Sequence, residues 1–253
     1  MLMAMCAEVE EVLQAVRGGR LSINAAARRL RLNSITEVRD FARLDSFRAA
    51  RSGIPEIILA EGKSPEKVVM IAKAAKSPML ITRMGNGHTA ALKKAFPKMT
   101  YNRSARSAFT GSLPAKSAGR IGVLAAGTSD VPIAEEAAFT AEAMGCEALR
   151  AYDVGVAGIH RLFKPLKSMV GKGARAFVVA AGREGTLPAI VAGLVDVPVI
   201  GLPISTGYGY GGKGEAALKS MLQSCSFLTV VNIDNGIGAG ACAALIAKKA
   251  VGK

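Results

Sequence analysis

The residues best suited to chemistry in this chain are a carboxylate and a thiol, each beside a predicted turn. Glu184 lies between glycines in Gly182-Arg183-Glu184-Gly185, directly after an apolar run, and Cys225 lies between Ser224 and Ser226. A carboxylate at a strand-to-helix turn serves as an acid or base, or it only stabilises the helix dipole. A thiolate is a nucleophile when nearby positive charge lowers its pKa, although most lone cysteines are small buried hydrophobes. From the residues alone, both interpretations remain open for each side chain.

A second turn has the chemistry of a phosphate site. Gly127, Thr128, Ser129 and Asp130 follow an apolar run and precede a helical pattern. Hydroxyl groups and the free N–H groups of a helix start bind phosphate well. Ser and Asp are also common helix caps, so an ordinary capped helix is an equally good interpretation.

The glycine-rich loops near the carboxyl end supply further candidate binding groups. Arg183 has the geometry to hold a carboxylate or phosphate with two hydrogen bonds. Tyr208 either stacks on a ring of a ligand or orders its own loop. The candidates share free backbone N–H groups or polar side chains, and they are Gly182, Arg183, Gly185, Ser205, Thr206, Gly207, Tyr208, Asn232, Asp234, Asn235 and Gly236.

The elements that must position these residues alternate regularly. From Arg120 onward, apolar runs of strand length alternate with helical patterns, and this repeat predicts an α/β fold with a doubly wound parallel sheet in three layers. Ligands bind at the carboxyl edge of such sheets. We therefore expect Glu184, Cys225 and the glycine-rich turns to share that edge.

The part of the chain before residue 113 predicts a smaller domain of helices and short strands. Apolar spacing predicts helices over Cys6–Arg17, from Ser22 to Leu32, and from Ser34 or Thr36 to Arg48. Beyond them, an α/β segment follows, in which Ser64-Pro65-Glu66 opens a helix. A linker rich in Gly, Ser and Pro over Thr110–Gly119 separates the predicted domains, 1–113 and 119–253.

Composition excludes several classes of protein. Half of the 253 residues are apolar, which is typical of a folded α/β enzyme and unlike a disordered chain. The four cysteines form no CxxC pair, which favours a reducing cytosol over a disulfide framework or zinc site. The amino end lacks a basic signal segment, and the longest apolar stretch, Leu187–Ile204, is too interrupted to span a membrane. We therefore expect a cytoplasmic protein without a membrane partner.

The net charge of +14 leaves two interpretations. Basic charge favours nucleic acid or other polyanions, and a nucleic-acid-binding or regulatory protein is the non-enzymatic alternative. The basic residues are spread along the chain and aromatic residues are few, so the pattern for stacking bases is missing. We expect a small phosphorylated substrate and no nucleic-acid partner.

The residues beyond Arg120 resemble the aminoimidazole ribonucleotide carboxylase (PurE) superfamily. The resemblance rests on Gly127-Thr128-Ser129-Asp130 with Pro132, on Leu187-Pro188, and on the run from Pro198 to Pro203. In that family a His precedes the Leu-Pro pair, and here Thr186 stands in its place. The departure weighs against purine carboxylation, which stays the alternative enzymatic function.

Where the sequence departs from the PurE pattern, it resembles the LarB family, the carboxylase/hydrolases of nickel-pincer nucleotide cofactor synthesis. The matching motifs are Arg48 to Glu56, Glu61-Gly62-Lys63, Asp153 to Arg161, Arg183-Glu184-Gly185, Ser205 to Gly209, Ser224-Cys225 and Val231 to Gly236. The resemblance implies carboxylation of the pyridinium ring of nicotinic acid adenine dinucleotide by carbon dioxide or bicarbonate. It also implies hydrolysis of the phosphoanhydride, which releases AMP and pyridinium-3,5-biscarboxylate mononucleotide.

The resemblance also implies roles for single residues. Cys225 would add to the ring as nucleophile, Glu184 would remove the ring proton, and the turns would hold phosphates and ribose. Hydrolysis would use a divalent cation such as Mg²⁺, with Asp130 or Asp234 as candidate ligands. The superfamily further implies a homo-oligomer, an octamer.

Overall fold

The computed structural model describes residues 11–31, 35–45, 48–75 and 77–251. It contains a five-stranded sheet, a four-stranded sheet and a two-stranded hairpin. Helices flank the five-stranded sheet, and this architecture confirms the predicted α/β fold with a doubly wound parallel sheet.

The part before Arg120 contains short elements. They are α1 (residues 11–17), α2 (Ile23–Arg31), β1 (Ile35–Val38), β2 (Ala42–Asp45), α3 (Arg48–Ser52), β3 (Ile57–Leu59), α4 (Pro65–Ala74), β4 (Leu80–Thr82), α5 (Asn86–Ala95), β5 (Thr100–Asn102) and β6 (Ser107–Phe109). The four-stranded sheet has the order β3-β4-β6-β5, in which only the β3–β4 pair is parallel. The predicted start of α4 is confirmed, because the Ser64 side chain accepts a hydrogen bond from the Lys67 amide and Pro65 opens the helix.

The prediction of a third helix, from Ser34 or Thr36 to Arg48, is wrong. Strands β1 and β2 pair there as an antiparallel hairpin, and Arg39 in its turn has a φ of 51°. Val38 and Leu44 are buried while their neighbours are more exposed, so packing of one hairpin face outweighs the helical spacing. The structure also adds β6, a strand that the sequence did not indicate. The first half of the helix predicted over Cys6–Arg17 lies outside the described residues.

The part from Arg120 onward contains the larger sheet. Its elements are β7 (Arg120–Ala125), α6 (Val131–Ala143), β8 (Glu147–Ala151), α7 (His160–Gly171), β9 (Ala174–Ala181), α8 (Leu187–Ala192), β10 (Val199–Pro203), α9 (Glu215–Leu222), β11 (Thr229–Val230) and α10 (Gly236–Val251). The strand order is β11-β10-β9-β7-β8, and all neighbouring pairs are parallel. The strand predicted from Phe227 to Ile233 is shorter in the structure, where β11 has only two residues.

Both faces of this sheet are covered, which explains why its strands are continuous apolar runs. On one face Val123 and Val178 pack with alanines of α6 and α10. On the other face Phe177 packs with Leu162 of α7 and Leu187 of α8. The chain leaves β7 toward β8 and returns to the other side of β7 as β9. The strand order therefore reverses between β7 and β9, and the loops after these two strands diverge.

Polar side chains join the two sheets across α6. The Thr82 hydroxyl, on β4, donates to the buried carboxylate of Glu136, and the Asn102 amide, on β5, donates to Glu135 at 2.7 Å. Burial alone would raise the pKa of Glu135, but hydrogen bonds from Tyr152 and the nearby Arg150 outweigh it and lower that pKa. The amino-terminal part is thus fixed to the larger sheet by hydrogen-bonded acids as well as by apolar contact. Across the described residues, no helix is both long and apolar enough to cross a bilayer.

Candidate active site

An open cavity of about 370 Å³ lies where the loops after β7 and β9 diverge. Four loops contribute to it, each of which follows a strand of the larger sheet. Its lining residues are Ala126, Gly127, Ser129, Asp130, Asp153, Gly155, Val156, Ala157, Arg161, Ala181, Gly182, Arg183, Glu184, Thr206, Gly207 and Tyr208. The cavity therefore lies at the edge of the sheet where the sequence predicted that the glycine-rich turns meet.

The turn after β7 is shaped by the buried carboxylate of Asp130. Its Oδ2 accepts a hydrogen bond from the Gly127 amide at 2.8 Å, and its Oδ1 accepts one from the Thr206 hydroxyl at 3.3 Å. Burial raises the pKa of Asp130, and the hydrogen bond from Gly127 is the strongest opposing effect. Asp130 thus closes the turn internally, while Ser129 is exposed toward the cavity. Asp130 therefore has the structural role in this turn, and Ser129 is the residue that remains a candidate for binding phosphate.

The turn after β9 places Arg183 and Glu184 side by side on the cavity wall, both exposed. The Arg183 guanidinium lies 4.2 Å from the centroid of the Tyr208 ring. This contact is within the range of a cation–π interaction, so the ring orders its own loop against the turn. The Glu184 carboxylate is left on the same wall as a group able to accept a proton.

Two glycines allow the loop after β10 to lie against the turn after β9. A Cβ atom on Gly207 would lie 2.1 Å from the Gly182 carbonyl oxygen, and one on Gly182 would lie 2.8 Å from Asp130 Oδ1. Real Cβ atoms do not approach other atoms so closely. The glycines at these positions are therefore required for the cavity wall, whether or not they touch a ligand.

Arg161 and Asp153 also line the cavity, although the sequence did not single them out as binding residues. The Arg161 guanidinium donates to the Asp153 carboxylate, and Asp153 has a φ of 57° at the start of the loop after β8. Both belong to the segment Asp153 to Arg161, one of the motifs that resemble the LarB family. With Arg183, Arg161 gives the cavity two guanidinium groups, which suit a substrate with more than one phosphate.

The remaining predicted binding residues lie outside the lining. The Asp234 carboxylate accepts a hydrogen bond from the Ser205 amide at 2.9 Å, and Asn235 Oδ1 accepts one from the Gly238 amide at 2.9 Å. Asp234 therefore holds the loop after β10, and Asn235 holds the first turn of α10. Thr128, Gly185 and Ser205 are adjacent in sequence to lining residues, whereas Asn232, Asp234, Asn235 and Gly236 follow β11 and lead into α10.

Cys225 is not brought to the cavity within one chain, contrary to the expectation that it shares an edge with Glu184. It lies in the connection from α9 to β11, at the amino end of β11, whereas the cavity lies at the carboxyl ends of the strands. The sequence prediction overlooked that a helix-to-strand connection returns to the opposite edge of a parallel sheet. Cys225 is exposed, and so is Phe227 beside it.

The two candidate magnesium ligands both have hydrogen-bond partners within the chain. Asp130 accepts from the Gly127 amide and the Thr206 hydroxyl, and Asp234 accepts from the Ser205 amide. Among the described residues, no three or more His, Cys, Asp or Glu side chains are grouped as metal ligands. Magnesium commonly takes only one or two carboxylates together with substrate phosphates, so a magnesium site here stays a prediction.

Comparison with protein families matches both parts of the chain. Residues 35–111 match the LarB/PurE-like N-terminal domain, and residues 120–252 match the AIR carboxylase domain. The cavity belongs entirely to the second of these. The domain pair indicates a carboxylase-type enzyme.

Individual relatives agree with this assignment. An uncharacterized protein of Methanocaldococcus jannaschii is 39% identical over 251 residues, 95% of this chain and 97% of the relative. The N5-carboxyaminoimidazole ribonucleotide mutase of Thermotoga maritima is 29% identical over 131 residues, 50% of this chain and 74% of the mutase. The corresponding mutase of Pyrococcus horikoshii is 30% identical over 138 residues, 52% of this chain and 72% of the mutase. With its LarB-type amino-terminal domain followed by a PurE-like carboxylase domain, the chain belongs to the LarB family.

Proposed function

We propose that this protein carboxylates the pyridinium ring of nicotinic acid adenine dinucleotide and hydrolyses its phosphoanhydride. The proposal rests chiefly on one observation, the grouping of Glu184 with the guanidinium groups of Arg161 and Arg183 in a single cavity. Arg183, together with Arg161 in its pair with Asp153, carries N–H donors that match a diphosphate, and the Glu184 carboxylate matches the base that the carboxylation needs. Family membership supplies the choice of substrate.

The ring chemistry requires a nucleophile in addition to the base. A pyridinium ring is electron-poor and does not attack carbon dioxide. Addition of a thiolate to a ring carbon gives an enamine, whose carbon meta to nitrogen forms the new bond to carbon dioxide. Glu184 then takes the proton from that carbon, the thiolate leaves, and the ring becomes aromatic again. Hydrolysis adds one water across the anhydride and releases AMP.

We propose that the thiol is Cys225 of a neighbouring copy of the chain. Within one chain Cys225 lies at the opposite edge of the sheet from Glu184. Cys225 and Phe227, two residues further on, are both exposed, which allows them to contact a second molecule. The homo-oligomer, an octamer by family resemblance, would supply this contact.

The alternative is a purine-type carboxylase or mutase acting on aminoimidazole ribonucleotide. It is favoured by the N5-carboxyaminoimidazole ribonucleotide mutases, which match the larger domain. Thr186 stands where that family has a His, and it lies outside the cavity lining at the start of α8. The cavity therefore lacks the imidazole that the alternative needs, which supports the pyridinium substrate.

The test is incubation of the pure protein with nicotinic acid adenine dinucleotide, Mg²⁺ and ¹³C-bicarbonate, followed by mass spectrometry. Magnesium is included because it commonly reaches such sites with substrate phosphates. We expect a mononucleotide that carries one labelled carboxyl group, together with AMP. Unchanged dinucleotide, with turnover of aminoimidazole ribonucleotide instead, would establish the alternative.

The Glu184→Gln variant tests the role of the base in the same assay. Loss of a positioned base lowers kcat by about 100-fold or more. Glu215→Gln is the matched control, because Glu215 lies exposed on α9 and outside the cavity. Equal loss in both variants would show that Glu184 has no special role.

A further inference from the structure

We infer that Arg83, in the amino-terminal domain, is a positioning residue for the cavity wall of the carboxylase domain. Its guanidinium donates to the backbone carbonyl of Asp234 at 3.0 Å, across the boundary between the two domains. Asp234 in turn holds the segment that leads into the cavity wall. The inference concerns the enzyme of the proposed function, but its first test does not depend on the substrate.

Asp234 forms hydrogen bonds with the residues on both sides of Ile204. Its amide donates to the Pro203 carbonyl at 2.9 Å, and its carboxylate Oδ1 accepts from the Ser205 amide at 2.9 Å. Thr206, Gly207 and Tyr208 follow directly and line the cavity. A shift of Asp234 would therefore move the wall through two hydrogen bonds.

The loop that forms this wall is rich in glycine, so contacts from outside the loop are needed to fix its conformation. Gly207, Gly209, Gly211 and Gly212 lie within it, and glycine loses more conformational freedom on ordering than any other residue. On the cavity side, the side-chain contacts that hold it are the Thr206–Asp130 hydrogen bond and the Arg183–Tyr208 stack. The Asp234 hydrogen bonds fix the other end, at the exit of β10.

Both residues of the interdomain hydrogen bond have unusual backbones. Arg83 has a φ of 52° and Asp234 a φ of 56°, in the left-handed region that non-glycine residues seldom adopt. Such conformations persist only where surrounding contacts determine them, and they concentrate at functional sites. The Glu61 carboxylate forms a salt bridge with the same guanidinium, with 3.2 Å between Glu61 Oε2 and Arg83 Nη1.

The first test is hydrogen–deuterium exchange of peptides covering residues 203–210, in the full-length protein. We expect Arg83→Ala and Asp234→Ala to exchange these amides at least several-fold faster than the wild type. Arg43→Ala is the matched control, because Arg43 is exposed and pairs within the hairpin of β1 and β2, with Glu37 at 3.6 Å. Its exchange over 203–210 should stay at the wild-type rate.

A second set of peptides separates positioning from general destabilisation. If Arg83 positions the wall through the Asp234 carbonyl, Arg83→Ala should speed exchange over 203–210 and leave peptides of α7, on the other face of the sheet, at the wild-type rate. Equally faster exchange in α7, or wild-type exchange over 203–210 in a folded Arg83→Ala protein, would overturn the inference. Should Arg83→Ala fail to fold, Arg83→Lys is measured instead, and faster exchange over 203–210 is again expected. Lysine keeps the positive charge but lacks the planar fork whose two arms bond Glu61 and Asp234.

The second test is turnover of the dinucleotide. We expect Arg83→Ala to raise KM about tenfold with a smaller change in kcat, and Arg43→Ala to leave both unchanged. An unchanged KM alongside faster exchange would overturn a role of the wall in substrate binding. If the wild type turns over no dinucleotide, the proposed function fails while the exchange result still decides the positioning role.

Discussion

The carboxylate of Asp130 accepts a hydrogen bond from the hydroxyl of Thr206, with 3.3 Å between Oδ1 and Oγ1. The two residues are 76 positions apart in the chain. The bond ties the turn after β7 to the loop after β10, on either side of β9. It therefore closes the cavity wall around the strand from which Glu184 extends.

Thr206→Val should loosen this closure. Valine keeps the shape of threonine but cannot donate, so the buried Asp130 carboxylate loses one partner. We expect the free energy of unfolding to fall by about 1 kcal/mol, measured by urea unfolding at neutral pH. Thr206→Ser keeps the hydroxyl and should retain most of the stability. Full stability in Thr206→Val, with a loss in Thr206→Ser, would show that the methyl group, not the hydrogen bond, matters.

Arg161→Ala should weaken substrate binding more than catalysis. A hydrogen bond to a charged group is worth about 1.5–3 kcal/mol, so removal of this phosphate-binding candidate should raise KM about 10- to 100-fold. Steady-state kinetics with nicotinic acid adenine dinucleotide measures this. Arg175→Ala is the control, because Arg175 is exposed at the amino end of β9, away from the cavity. A fall in kcat at constant KM would place Arg161 in the chemical step instead.

The sequence predicted the sheet edge at which the cavity lies, because strand and helix patterns alternate clearly beyond Arg120. Two features of the structure could not be predicted from the sequence. The pairing of Arg161 with Asp153 depends on how the β8 loop folds back, which no local spacing encodes. The hairpin of β1 and β2 replaced a predicted helix because burial of Val38 and Leu44 against the amino-terminal core depends on distant residues. Cys225 was misplaced for a simpler reason, since the connection's direction follows from the parallel topology.

Mixing two inactive variants should restore activity if each site takes Glu184 and Cys225 from different copies. We expect Glu184→Gln and Cys225→Ala to be inactive in carboxylation when each is made alone. In randomly mixed oligomers, up to about one quarter of the sites would hold both native residues, so activity should recover to about that fraction. Co-expression with two different tags, followed by tandem purification, gives the mixed oligomer for the mass-spectrometric assay.

The same experiment includes its own control. The double variant, with both changes in one chain, mixed with wild type tests whether assembly itself alters turnover. Absence of recovery in well-mixed oligomers would mean that one chain supplies both groups. Full carboxylation by Cys225→Ala alone would rule out the thiol as nucleophile.

Replacement of Glu136 by Gln should change how stability depends on pH. Burial raises the pKa of Glu136, against the opposing effects of the Thr82 hydroxyl and the nearby Arg83. A carboxyl group whose pKa is raised on folding favours the folded state most at low pH. That contribution is lost as pH rises from the ordinary carboxyl pKa through the raised one. The wild type should therefore lose stability over this range through Glu136, and Glu136→Gln should not.

The measurement is urea unfolding of both proteins at a series of pH values from about 4 to 8. The free energy of unfolding of Glu136→Gln, minus that of the wild type, should increase with pH, because glutamine cannot ionise beside Asp234. Subtraction cancels the titration of groups that both proteins share. Glu215→Gln, an exposed change on α9, controls for loss of a carboxyl group as such. A difference that stays constant or decreases with pH would mean that Arg83 and Thr82 keep Glu136 ionised in the folded protein.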